Sequence, residues 1–406
     1  MKKVIGLTMG AMVLAALYGC GGSSSSSTTP TPTPGPTPKP DNELGITEVP
    51  TALQSTYTKA LKFDRYTKVD TPNGGAIHIV VQDALTDNQI VRARNVLEHY
   101  LTNYPGSQYG ADKSAVANKM ADNGAILLLL NGVDDGTNPA SEVEGQPLYA
   151  GEIQVEGHPW YINQNYDHRD ATFEEILHLV HDYGIGVDQN PQFNGALPDY
   201  QAEIRTAQEY ALTDKKWAWG EESAGWVKEL TEENSLSQEY LASVIDSYYG
   251  LWGAHEGQYG MWNLYVAKTR EQIPTKDPRG AELLNNKFFH PYLTYTARID
   301  DSFEGDFSLK FNAALGYTHH AQYLKDLRLT GSKNSNVIVN GRDNHIWGNT
   351  GTNKVLFSGP SSEYEVSKNG KEVSVKDMVD GRDGNNTLVD IESLVFSDTT
   401  VAVNSL

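Results

Sequence analysis

From residue 44 onward the apolar positions follow two different periods, and the chain switches between them. Residues 76–82 (AIHIVVQ) form a short apolar run rich in β-branched side chains, which predicts a strand. Across 86–100, Ile90, Val91, Ala93, Val96 and Leu97 fall on one side of a 3.6-residue period, which predicts an amphipathic helix. A buried strand is expected at 125–130 (AILLLL) and an edge strand at 149–155. Helical patterns occupy 51–62, a strong segment starting near Ala171, then 200–212 and 237–249, before aromatic stretches such as FFHPYLTY (288–295). This mixture predicts an α+β fold over 44–326. Near Leu329 the composition turns to Asn, Gly, Ser, Thr and Val, and a nine-residue spacing aligns Asn336-Val337, His345-Ile346 and Lys354-Val355. A small β-rich domain over 327–406 is expected.

The first 43 residues follow neither period. Lys2 and Lys3 precede an apolar run that ends at Leu17-Tyr18-Gly19-Cys20, too short for the roughly 20 residues that span a bilayer. Residues 1–19 therefore read as a secretory signal peptide. Residues 20–43, with SSSSSTTPTPTPGPTPKP, read as an extended Ser/Thr/Pro-rich linker. LYGC resembles the lipobox of bacterial lipoproteins, which implies cleavage before Cys20 and a lipid on its thiol, anchoring the chain to a membrane. Gly21 rather than Asp follows, which under the enterobacterial sorting rule implies the outer membrane of a Gram-negative cell envelope.

Composition narrows the chemistry. Acids outnumber bases 52 to 32, a net charge of −20, without a basic cluster, so a nucleic-acid partner is excluded as an expectation. Cys20 is the single cysteine, so an intramolecular disulfide or a Cys-based zinc knot is excluded and metal ligands must be His, Asp or Glu. The sequence lacks a GxSxG elbow, a Walker A loop and a GxGxxG following a strand.

The segment DATFEEILHLVHDYG (170–184) carries the candidate chemistry. Asp170 or Thr172 can cap it, Glu174 and Glu175 suit the first turn, and Gly184 can end it. With Phe173 at 0°, the apolar Ile176, Leu177, Val180 and Tyr183 fall between about 280° and 40° on the helical wheel. Glu174, His178 and His181 fall near about 100°, 140° and 80°, so three possible metal ligands share one edge of the buried stripe. An acidic first turn and half-buried histidines are also ordinary features of an amphipathic helix.

EEILH (174–178) resembles the HExxH helix of zincin metallopeptidases, with Glu174 in the place of the first His, Glu175 in the place of the general base and His178 as the second ligand. His181 and Gly184 stand where metzincins have Gly and a third His, which disfavours that branch. Gluzincins take a Glu from a later helix, and QEYLASVIDSYYGLW (238–252) offers Glu239. The resemblance implies a zincin-like domain with a mixed sheet and a metal-site helix. It also implies zinc or another divalent ion held by Glu174, His178, His181 and Glu239, and peptide hydrolysis with Glu175 as base. A carboxylate in the first ligand position makes the site more anionic, so catalysis is reduced or lost. GNTGTNKVL (348–356) resembles the calcium-binding nonapeptide of RTX proteins, with Asn353 in the Asp position, so a degenerate β-roll with weak or absent calcium affinity is implied. The contrasting expectation is a non-catalytic surface lipoprotein that binds protein or polysaccharide.

Overall fold

The computed structural model describes residues 44–166, 168–190 and 192–406. The expected signal peptide and linker, and Cys20 as the expected lipidation site, lie outside the described residues. The chain is mixed α/β, with three sheets and ten α-helices among the described residues. None of its described helices is long and apolar enough to cross a membrane.

The first sheet has strands β1 (Phe63–Asp70), β2 (Ala76–Gln82), β3 (Ile126–Leu130) and β4 (Gln146–Tyr149), in that spatial order. β1 is antiparallel to β2, whereas β2, β3 and β4 are mutually parallel. Parallel neighbours require a crossover, and two helices supply the one between β2 and β3: α1 (Asp87–Leu101) and α2 (Ser114–Asp122). Thr86 opens α1 with a reciprocal capping box to Gln89, as its sequence position suggests.

The two faces of this sheet are covered differently. Ile77, Ile79, Val81, Leu127, Leu129 and Leu148 join the main core with the apolar side of α1. Val80, Leu128, Leu130 and Tyr149 form a smaller cluster with Val49, Tyr57, Phe63, Tyr66 and Ala140. Residues 51–62, expected as a helix, are a run of turns closing on a 3₁₀ turn at Lys59–Leu61. Leu53, Tyr57 and Leu61 still reach the sheet at their helical spacing, but the hydroxyl of Thr58 caps the backbone N–H of Leu61 and favours a turn. The edge strand expected at 149–155 ends at Tyr149, where the Glu152 carboxylate accepts from the Tyr149 N–H at 3.1 Å and starts a 3₁₀ turn.

Seven further helices precede the other sheets: α3 (Pro159–Asn163), α4 (Thr172–Val180), α5 (Pro198–Thr213), α6 (Ala224–Glu233), α7 (Leu236–Tyr248), α8 (Ile273–Lys276) and α9 (Pro278–Leu284). α4 lies among α1, β4 and α7. The remaining strands are β5 (Thr296–Ile299), β6 (Gly305–Ser308), β7 (Asp326–Leu329), β8 (Ser335–Ile338), β9 (His345–Trp347), β10 (Lys354–Leu356), β11 (Tyr364–Asn369), β12 (Glu372–Asp377), β13 (Asn385–Val389), β14 (Ser393–Val395) and β15 (Thr400–Ala402). They form one sheet of order β15-β14-β10-β8-β6 and one of order β11-β12-β13-β9-β7-β5. From β5 to β10 successive strands alternate between the two sheets, so the nine-residue spacing marks one strand and its turn. β8 and β10 therefore pair in parallel, Val337 opposite Val355, eighteen positions apart in the numbering. Val337, Ile346 and Val355 are all fully buried. The alternation begins at β5, ahead of the composition change near Leu329, and the main core runs continuously from Ile46 to Phe396.

Asparagine side chains tie the turns together. Asn353 is fully buried; its amide donates to Ser335 O and Asn349 Oδ1, each at 2.9 Å, and its Oδ1 accepts from Asn349 N at 2.8 Å. Asn344 and Asn340 likewise donate to the carbonyls of Lys325 and Leu324. Asn353→Asp removes the donors and aims a carboxylate at two oxygens. It is expected to lower unfolding free energy by about 3 kcal/mol in a urea titration, without rescue by calcium.

Lys113 is a buried cation of another kind. Its ammonium donates to Tyr100 O at 2.9 Å and lies 4.2 Å from the Phe288 ring centroid, and burial pushes its pKa down to about 7. Between pH 7 and 10.5 the unfolded chain binds a proton that the folded chain does not, so stability rises with pH across that window, by up to about 1.4 kcal/mol per unit. Lys113→Met is expected to flatten this rise in unfolding titrations at pH 7, 8.5 and 10.

Candidate functional site

The start of α4 is fixed by a buried ion network. Arg92 of α1 pairs with Glu156 and, at 2.6 Å, with Asp170 Oδ2. Asp170 Oδ1 accepts from the Thr172 N–H at 3.1 Å, and Tyr295 OH donates to Glu156 at 3.0 Å. A guanidinium serving two carboxylates out of water sets both the position and the direction of the helix that follows.

Along α4, Phe173, Ile176, Leu177 and Val180 enter the core as the helical wheel predicts. Glu174 lies beside them, fully buried. Glu174, His178 and Glu239 of α7 each offer a ligand atom within 4.8 Å of the others. His178 Nε2 is 3.6 Å from Glu239 Oε1, beyond hydrogen-bond reach, and the two side chains are 6 % and 1 % exposed. Glu174 Oε1, His178 Nε2 and both oxygens of Glu239 lack a hydrogen-bond partner. Buried polar atoms are normally satisfied, so a convergent set of orphans marks a place for something else to bind. One imidazole and two carboxylates suit zinc or a similar divalent ion.

Glu175, at 13 % exposure, is closer to solvent than Glu174 or Glu239. Its Oε2 accepts from Gln146 Nε2 at 2.8 Å and is 3.6 Å from His178 Nδ1. Its Oε1 is 3.4 Å from Arg169 Nη2, while Arg169 Nη1 forms an ion pair with Glu174 Oε2. Burial works to raise the Glu175 carboxyl, but the neighbouring His178 ring, with Arg169 and Gln146, holds it below the ordinary range. Burial works to lower His178, yet Glu239, Glu175 and Asp182 push it up to about 9. Glu239 itself is raised, by burial first.

His181 does not join the group. α4 gives way after Val180 to a π-helical turn, His181–Ile185, which closes at Gly186 with φ +99°. His181 faces α5 instead, and its Nε2 donates to Gln201 Oε1 at 2.6 Å. Burial keeps this ring neutral, with its pKa pushed down to about 4. His181 is still in α-helical register, and the roughly 60° that separate it from His178 on the wheel turn it towards Gln201 of α5.

Three neighbours escaped sequence reasoning. Arg169 precedes the helix and gives no periodic signal. Glu152 is pushed up to about 7 by burial and by Glu175. Asp246 is also pushed up to about 7 by burial, with its Oδ2 accepting from Trp252 Nε1 at 2.8 Å. Asp246 stands seven residues after Glu239, two turns along one helix face, which was a usable signal. Other polar and aromatic residues have structural employment. His320 Nδ1 donates to Tyr249 O at 2.7 Å, His290 Nε2 bonds the carbonyls of Thr102 and Asn103, and Tyr240 OH donates to Asp277. Trp217 is buried and packs edge-on against Trp226.

Comparison with known protein families and with curated proteins found no match.

The geometry fixes the sign of a pH dependence. His178 must lose its proton to bind a metal, so zinc affinity is expected to rise about tenfold per pH unit between pH 6.5 and 9 for one released proton. A chelator-competition titration at pH 6.5, 7.5 and 8.5 checks this. Zinc is expected to be lost in His178→Ala and retained in His181→Ala.

Proposed function

We propose that the chain is a lipid-anchored protein of the bacterial cell envelope with a zincin-like, gluzincin-type domain and a degenerate β-roll at its C-terminal end. Its activity is metal-dependent peptide hydrolysis of reduced power. The convergence of Glu174, His178 and Glu239 on one buried, unpartnered set of ligand atoms carries this reading.

Glu174, His178 and Glu239 would hold the ion. A zinc or similar ion there supplies Lewis acidity, polarising a peptide carbonyl and lowering the pKa of water. Glu175 is the chain's own contribution to proton transfer. It is ionised at neutral pH, it is partly exposed, and Gln146 orients one of its oxygens. It therefore accepts a proton from water and returns it to the leaving amine. The depressed basicity of Glu175 and the anionic Glu174 in place of an imidazole both weaken this chemistry, which is the reason to expect slow turnover. In the β-roll, the amides of Asn340, Asn344 and Asn353 take over contacts that acidic side chains would give to calcium.

The test is Glu175→Gln, which keeps size and hydrogen bonding and removes the base. Zinc content should stay stoichiometric while cleavage of a mixed peptide pool falls by about 10²- to 10⁴-fold. Cleavage that survives unchanged would exclude Glu175 as the base, and zinc uptake without any cleavage by the unaltered chain would leave an anchored binding protein.

A further inference from the structure

We propose that Arg169 is a tethered cation that occupies the metal pocket in the metal-free protein and sets its affinity by competing with the ion. This rests on the reading of Glu174, His178 and Glu239 as a cation site.

The neighbouring carboxylate in sequence, Asp170, is committed to Arg92 and to the Thr172 N–H. Arg169 turns instead over the first turn of α4 and bridges Glu174 and Glu175. One of these is a ligand in the proposed site and the other its base. A guanidinium cannot shed its charge at any pH the protein meets, so the pocket carries a permanent internal cation. It offsets carboxylates that would otherwise stand buried and repel one another: Glu174, Glu175 and Glu239 on the two helices, with Glu152 and Asp246 beside them.

A divalent ion and a guanidinium compete for the same Glu174 carboxylate, whose Oε2 pairs with Arg169. The ion is the more highly charged, but it must displace Arg169 Nη1, whereas a pocket without Arg169 presents its carboxylates unpaired. The Arg169 side chain is 12 % exposed, beside the similarly exposed Glu175, so it can leave by rotating its own long side chain towards water. Two consequences follow from the one contact. Metal-free protein keeps a charge-balanced, folded pocket, and its Glu175 stays paired until an ion arrives.

The experiment uses the full-length chain, stripped of metal, in three forms: unaltered, Arg169→Gln and Arg169→Lys. Zinc affinity is read by competition with a chromophoric chelator, and melting temperature is read with and without zinc. Arg169→Gln is expected to bind zinc about tenfold tighter or more, to melt lower without metal and to gain more from zinc. Arg169→Lys keeps the charge but cannot fork across both carboxylates, so its affinity should fall between the other two; it carries the test if the Gln variant fails to fold without metal. Equal or weaker affinity in both variants would overturn the role of Arg169 while leaving the metal site intact. Zinc taken up by none of the three forms would overturn the cation site and this role with it.

Discussion

Carboxylate charge held between α4 and α7, away from water, is the constraint on which the rest of the site depends. Glu174 and Glu239 are essentially unexposed, and an isolated ionised carboxylate in such a place costs several kcal/mol or shifts its pKa until it is neutral. The protein applies several remedies at once. His178 is held protonated by the acids around it, Glu239 is raised towards its neutral form, and Arg169 lies across Glu174 and Glu175. Even so, Glu174 Oε1 and both Glu239 oxygens lack hydrogen bonds. A core that needed only to be stable would use apolar residues at these positions, since replacing buried ion clusters by hydrophobes is often neutral or stabilising. The retained charge is therefore an argument for ligand binding that does not depend on any motif.

Such a cluster works only if its backbone cannot relax away from it. Arg92 supplies the rigidity by joining α1, through Asp170, to the first turn of α4, and through Glu156 to Tyr295, which precedes β5. The helix carrying two of the three converging groups is thus pinned at its N-terminal end to the central core and to the sheets that follow. α7 brings the third group on a helix that is buried almost throughout. Close packing on both sides keeps the polar groups at fixed separations, because displacement would have to open a gap in a dense core.

Local periodicity made much of this visible in the sequence. β2, β3, α1, α4 and α7 lie where their apolar spacing puts them, because each buries one continuous face against the core. Glu239 on α7 was suggested only by the resemblance to gluzincins, whereas Glu174, Glu175 and His178 were legible as neighbours because one helix carries all three. Features set by long-range contact were not. Residues 51–62 have helical spacing, yet their hydroxyl side chains and the shape of the sheet beneath them favour turns. His181 lies on the same helix edge but about 60° from His178, and its partner Gln201 on α5 is a long-range neighbour that no local pattern announces. Arg169 was invisible since its partners are chosen by the fold rather than by a repeat.

Two places in this chain resemble cation sites, and their donor groups separate them. In the C-terminal turns the position that would carry Asp is Asn353, whose amide and carbonyl are both engaged with neighbouring turns. An amide supplies donors as well as an acceptor, so it can satisfy a carbonyl of the adjacent coil directly, which a carboxylate cannot do without an ion between them. Between α4 and α7 the Glu174 and Glu239 oxygens are acceptors without a hydrogen bond, beside the charges of Arg169 and His178. By the same physical rule, that buried oxygens facing one another need a proton or a cation between them, the Asn353 amide serves the turns with its own donors, while the Glu174, His178 and Glu239 group could hold a metal ion.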